Sequence, residues 1–466
     1  MLPRCKMSGF FSAVPLEPPN SILGLALECK KDPDPLKIDL TIGAYRDATG
    51  KPAVLACVRD AEATVFDQKP DHEYLSQDGL PEFNKAAQVL MFGADSPVIA
   101  ASRVFTIQGI SGTGSLRLAC DFISAHLPGR VVYIPEVTWP NHPTMLSAAH
   151  VQQATYRYLD ASGTSLDFAA MLADIAQAPE GSILLLHNCA HNPTGVDPTD
   201  DEWRQILEVV QRRNLLPFFD NAYQGFVTGC PSKDAFAVRL FAQAGLEMMV
   251  ACSFAKNFGL YGERVGALHF VTASPDETDK VASQLRALAR VLYSTCPAYG
   301  ARLVAAVLGN DEKRAEWEAQ CKAMADRLNS VRAALHQGAS VAAFTSCSPP
   351  SPLLSSPLLA RVGCHIGAWM SATQKSHSHP NAPLSPLSIP LTSSALVNLN
   401  VKGTWTHVIK QRGMFSYTGV PAWAVARLKA EYHIYMLANG RISLAGLNEA
   451  NTPRFAQALA EILGTN

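Results

Sequence analysis

Three side chains in the middle of the chain could do chemistry together: the amine of Lys256, the carboxyl of Asp220 and the guanidinium of Arg264. Lys256 lies in SFAKNFGLYGERVG (253–266), Arg264 stands eight residues beyond it in the same run, and Asp220 stands in FFDNAY (218–223) upstream. A lysine by itself is usually a solvated surface charge. Its company makes the difference. An amine can condense with an aldehyde, be displaced by an incoming amine and then act as a general base. A fixed carboxylate can hold a pyridine nitrogen protonated, so that the ring withdraws electrons. A guanidinium can pair bidentately with phosphate oxygens.

The phosphate side has further candidates. GISGTGSLRLACDFI (109–123) reads as a glycine-rich turn entering an apolar helix, whose amino end would offer Ser111, Gly112 and Thr113 as an anion cradle. Ser253 would close that cage with Arg264. Tyr223, three residues after Asp220, could aim its hydroxyl at a phenolic oxygen and help set the amine's pKa. Each has a plainer reading when taken alone: a loop, an Asp-Asn turn, a core tyrosine. Together they are what a pyridine aldehyde bearing a phosphate requires, which is pyridoxal phosphate.

The elements that must position these groups follow from hydrophobic patterning. Strand-length apolar runs, RVVYIP (130–135), SILLLH (182–187), LLPFFD (215–220), MMVACSF (248–254) and VGALHFV (265–271), alternate with helical segments such as DDEWRQILEVVQRRN (200–214). Continuous apolar strands separated by helices predict a mostly parallel sheet covered on both faces. Ligands of such sheets gather beyond the carboxyl ends of the strands. Asp220, Ser253 and Lys256 fall at or just after those ends.

Length and composition bound the rest. The chain has 466 residues, 48% of them hydrophobic, enough for a large α/β domain with a smaller companion. Its 39 basic and 40 acidic residues nearly cancel, leaving no electrostatic footprint for nucleic acid or an anionic membrane. The eleven cysteines are scattered, contain no CxxC pair and read as reduced and buried; no metal site is expected. No apolar run approaches the length of about 18 residues needed to span a bilayer. MLPRCKMSGFF at the start reads as neither a secretory signal nor a good transit peptide, so the cytoplasm is the expected compartment.

Residues 312–337 predict a long amphipathic helix linking the large domain to the smaller one. From about 338 to 398 the composition turns Ser- and Pro-rich, with His377 and His379 inside it, and predicts a surface insert without regular structure. Helical pattern resumes in AWAVARLKAEYHIYML (422–437).

The chain as a whole resembles the aspartate aminotransferases, class I pyridoxal-phosphate enzymes of fold type I. The resemblance rests on IGAYRD (42–47), YLSQDGLPEF (74–83), SGTGSLR (111–117), TWPNH (138–142), AHNPTGVDPT (190–199), DNAYQGF (220–226), SFAKNFGLYGERVG, GMFSYTG (413–419) and GRI (440–442), in the family's order. It implies a large cofactor domain over 47–322 with a mostly parallel sheet. A smaller α+β domain would be built from both chain ends, 1–46 and 323–466. It also implies roles for matching residues. Trp139 would stack on the cofactor ring, Asn192 would bond its phenolic oxygen beside Tyr223, and His142 would sit behind Asp220. Gly43, Trp139, Asn192 and Arg441 would contact substrate, Arg441 gripping the α-carboxylate. Tyr74 and Arg290 would reach across a homodimer, the first to the phosphate and the second to a side-chain carboxylate. Two arginines for two carboxylates imply aspartate, glutamate, oxaloacetate and 2-oxoglutarate as substrates. An aromatic aminotransferase and a non-catalytic cofactor-binding paralogue are the rival readings. The sequence departs from the family at Pro140, Ala255, Thr295, Cys296, Tyr417 and, most of all, in the Ser/Pro insert.

Overall fold

Seven strands form the central sheet of the computed structural model, which describes residues 9–18, 20–337, 396 and 398–464. They are β2 (Val104–Ile110), β3 (Val132–Pro135), β4 (Gln153–Tyr156), β5 (Ile183–His187), β6 (Leu216–Asn221), β7 (Met248–Ser253) and β8 (Val265–Val271). Their spatial order is β2-β8-β7-β6-β5-β3-β4. β8 pairs antiparallel with both β2 and β7, whereas β7, β6, β5, β3 and β4 pair in parallel. The sheet is therefore mostly parallel, with β8 its reversed member.

The unbroken apolar runs make sense on this sheet because successive side chains point to opposite faces. Phe219 of β6 enters one core and Phe218 the other. Leu184 and Leu186 of β5 join the first core, Ile183 and Leu185 the second. Each face is covered by helices. Asp200–Arg212 starts at a reciprocal capping box, where the Thr199 hydroxyl accepts from Glu202 N–H and the Glu202 carboxylate accepts from Thr199 N–H. The long helix Asp311–Gln337 forms where the periodicity predicts it.

A second region brings the chain ends together. β1 (Ile38–Asp39) pairs in parallel with β10 (Ile434–Tyr435), and β9 (Phe415–Tyr417) pairs antiparallel with β11 (Arg441–Ser443). One expectation needs correcting here. The helical pattern over 422–437 forms helix only over Ala422–Tyr432; His433 turns left-handed (φ 55°) and the chain becomes β10. Tertiary pairing overrides the local period: Asp32 Oδ2 accepts from Tyr435 Oη at 2.7 Å and lies 2.7 Å from His433 Nδ1, fixing the turn beside β1. The insert, with His377 and His379, and the first eight residues lie outside the described residues. Among the described residues, no helix is long and apolar enough to cross a membrane and no cluster of three or more His, Cys, Asp or Glu could hold a metal ion.

Candidate active site

The cleft forms where three segments meet beyond the carboxyl ends of β2 and β7. Helix Ser111–His126 begins directly after β2, the loop carrying Lys256 follows β7, and Arg264 precedes β8 with a left-handed backbone (φ 56°). Ser111 N–H donates to Arg264 O at 3.1 Å. Gly266 permits this convergence, since a Cβ there would stand 2.5 Å from the Ser111 carbonyl carbon and 2.7 Å from Cys252 O. Gly112 in turn lies against Ser253, whose hydroxyl is 3.1 Å from that of Ser111.

Ser111, Gly112, Thr113, Ser253 and Arg264 line one side of the cleft. Lys256, Asp220, Tyr223, Trp139 and Asn192 line its floor and walls, and Gly43 and Arg441 close it from the chain-end region. These residues, some read from the motifs and others implied by the resemblance, thus line one cleft. Lys256 Nζ stands 4.8 Å from the centre of the Tyr223 ring. Burial pulls this amine down from 10.5 to about 8, with Arg264 pulling the same way and Asp220 opposing.

Asp220 is a strand residue of β6 and not a turn cap. Its burial alone would raise its pKa, but a 3.0 Å contact from Oδ2 to His142 Nε2 and the positive charge offered by His142 and Lys256 hold it below the usual carboxylate range. Behind it, Thr138 Oγ1 lies 2.8 Å from His142 Nδ1 and 3.1 Å from His187 Nε2. Burial pushes His187 well below the ordinary histidine pKa, so that ring is neutral. The Trp139 ring meets His142 edge-on at 5.4 Å. Burial raises the Tyr223 hydroxyl's pKa, with Arg441 pulling the other way.

Arg441 sits in β11, 2% exposed, and burial lowers it to about 10. One guanidinium nitrogen donates to Asn192 Oδ1 at 3.4 Å, another to Thr41 O, and the group lies 4.3 Å over the Phe415 ring. Its Nε has no hydrogen-bond partner. A buried cation with an unused donor is a receptor for an anion.

Two predicted residues stay outside the cleft of the single chain. Tyr74 is 83% exposed. Arg290 is exposed on helix Pro275–Leu292 and donates to Ser294 Oγ. Among the substituted positions, Cys296 is buried with its thiol donating to Gln108 O at 3.2 Å, and Tyr417 pairs with Arg441 across β9 and β11. Sequence reasoning passed over Thr138, His187, Phe415 and Tyr261. Thr138 and Tyr261 lie inside quoted motifs, and His187 ends a predicted strand, so position within those runs was the available signal.

The Lys256 environment has a pH consequence. The folded amine gives up its proton before an unfolded one does, so its contribution to stability improves as pH rises from about 8 towards 10.5. The cofactor-free protein should react covalently with an aldehyde at Lys256 at a rate that rises with pH and levels off above about 8. Stopped-flow absorbance checks this; a midpoint in the ordinary lysine range contradicts it.

The chain is similar in sequence and fold to known proteins. The family model described as aminotransferase class I and II matches residues 35–375 and 392–459. A protein of Oryza sativa subsp. japonica named aspartate aminotransferase, cytoplasmic, is 41% identical over 453 residues, 97% of each chain. Relatives at 40% identity carry mitochondrial (Dictyostelium discoideum) and chloroplastic (Arabidopsis thaliana) names. Among solved structures, the cytoplasmic aspartate aminotransferase of Saccharomyces cerevisiae superposes with a TM-score of 0.83 at 35% identity, over 97% of this chain and 98% of that one. An aromatic-amino-acid aminotransferase of Burkholderia pseudomallei, solved covalently bound to pyridoxal phosphate, also reaches 0.83, at 37% identity over 98% and 100%.

Proposed function

The chain belongs to the class I and II aminotransferases, and on that footing we infer an aspartate aminotransferase that uses pyridoxal 5′-phosphate. It moves the amino group of L-aspartate to 2-oxoglutarate in a ping-pong cycle, giving oxaloacetate and L-glutamate. The observation that carries this reading is the cleft itself: an amine lowered to about 8, a carboxylate held charged and a buried arginine with a free donor face one space.

The residues fit the cofactor. Ser111, Gly112 and Thr113 at the amino end of a sixteen-residue helix, with Ser253 and Arg264, make a cradle for a dianionic phosphate. Pyridoxal phosphate supplies an aldehyde that takes up the substrate's amine and a protonated ring that draws electrons from its α-carbon. Lys256 Nζ, whose proton burial makes easier to lose, is the group that takes the α-proton and returns it. Asp220, oriented by His142, keeps a proton on the ring nitrogen. Tyr223 and Asn192 hold the phenolic oxygen, and Trp139 packs against the ring. Arg441 grips the substrate α-carboxylate beside Gly43.

The same reading assigns Arg290 to the second carboxylate and Tyr74 to the phosphate of the neighbouring subunit, in a homodimer. Their exposure outside this chain's own cleft supports that assignment. β1 pairing with β10 supports a smaller domain built from 1–46 and 323–466 beside a cofactor domain over 47–322. The compartment proposed is the cytoplasm, in line with the Oryza relative's name.

Arg290→Asp tests the substrate reading. Loss of a desolvated charge pair lowers kcat/KM on aspartate by roughly 10²-fold or more, and cationic amino acids gain. Steady-state kinetics on aspartate, arginine and phenylalanine check it. Unchanged aspartate kinetics contradict the role of Arg290, and a wild-type preference for phenylalanine moves the assignment to an aromatic aminotransferase, the name of the Burkholderia structure.

A further inference from the structure

Residues 41–45 cross the cleft without regular secondary structure. At Gly43 the backbone lies so close to the wall that a Cβ would stand 2.5 Å from Phe415 Cζ and 3.5 Å from Tyr223 Oη. This strap has two anchors at the site. At one end Thr41 O accepts from Arg441. At the other, Tyr45 N–H donates to Tyr261 Oη at 2.7 Å.

Tyr261 comes from the opposite wall. It lies between Lys256 and Arg264, lines the cleft, and its backbone carbonyl accepts from Arg264 Nη1 at 3.1 Å. One residue therefore steadies the phosphate-side guanidinium with its backbone and the substrate-side strap with its hydroxyl. The two anchors respond differently to substrate. A carboxylate arriving at Arg441 takes the unused Nε donor and draws on the guanidinium that also holds Thr41 O, which weakens that anchor. The strap then depends on its Tyr261 end to keep Gly43 against the ligand.

We propose that Tyr261 is a positioning residue for substrate binding, holding the 41–45 strap over the α-carboxylate site through its bond to Tyr45 N–H. The proposal rests on the aminotransferase reading above. If Tyr261 only fills space, Phe serves as well, because the ring is kept. If the hydroxyl positions the strap, Tyr261→Phe loosens substrate binding and spares the cofactor.

The experiment compares cofactor-loaded wild type and Tyr261→Phe for KM and kcat with aspartate and 2-oxoglutarate, and for pyridoxal phosphate affinity. KM for both substrates should rise by about ten-fold, the loss of roughly one hydrogen bond's binding, with kcat falling by much less and cofactor affinity held. Unchanged KM overturns the proposal, as does an equal loss of cofactor and substrate, the mark of a merely structural residue. Hydrogen exchange on the wild type gives a reading independent of the variant's folding: the Tyr45 amide should stay protected with and without succinate, and rapid exchange overturns the proposal. An inactive wild type sinks the functional assignment itself, whereas an active wild type matched by its variant sinks this inference alone.

Discussion

Replacing Lys256 by Ala removes transamination, lowering kcat/KM on aspartate by at least about 10⁴-fold, while the protein still folds and keeps pyridoxal phosphate non-covalently. The size follows from what one atom does. Nζ is the attachment point for the aldehyde and the base that takes the α-proton, and a positioned base alone contributes about 10²- to 10⁴-fold. The retention follows from the rest of the cleft, because Ser111, Ser253, Arg264 and the helix amino end are untouched. Removing an amine that burial already pulls down to about 8 also relieves a desolvation cost, so melting temperature should not fall. Steady-state assays and absorbance of the dialysed variant check this. Turnover near wild type, or loss of the cofactor on dialysis, would count against it.

Asp220→Asn is the second large effect, a fall in kcat on the order of 10³-fold with substrate KM little changed. The substitution keeps the size of the side chain and a contact to His142 Nε2 but removes the charge. That charge is maintained against burial by the His142 bond and by the positive charge offered by His142 and Lys256. Removing a single preorganised electrostatic group from a water-excluded site typically costs about 10²- to 10³-fold in rate. Here the group also sets whether the ring nitrogen carries a proton, so the upper end is expected. Single-turnover rates with aspartate measure it directly. A variant within ten-fold of wild type would mean that Asp220 is structural.

How far the site could be read in the sequence depended on distance along the chain. Lys256, Ser253 and Arg264 share one run, and Asp220 ends an apolar strand, so strand-end chemistry pointed to them before any fold was known. Arg441 was different. Its contacts with Thr41 and Phe415 join β11 to a strap 400 residues away and to β9, and no spacing reveals such a meeting. The resemblance to known aminotransferases identified it instead. His142 is 78 residues from Asp220 and, read alone, is an ordinary core histidine. The apolar runs predicted buried strands but not that β8 is reversed, because a strand covered on both faces looks the same in either direction. His433 shows the opposite failure: a helical period continued past the point where pairing with β1 required a strand.

The most direct test of the assignment is a half-reaction. Cofactor-loaded protein mixed with L-aspartate, in the absence of any oxo acid acceptor, should release one equivalent of oxaloacetate per active site and then stop until 2-oxoglutarate is added. Release of no oxaloacetate, or continued release without an acceptor, would contradict the account.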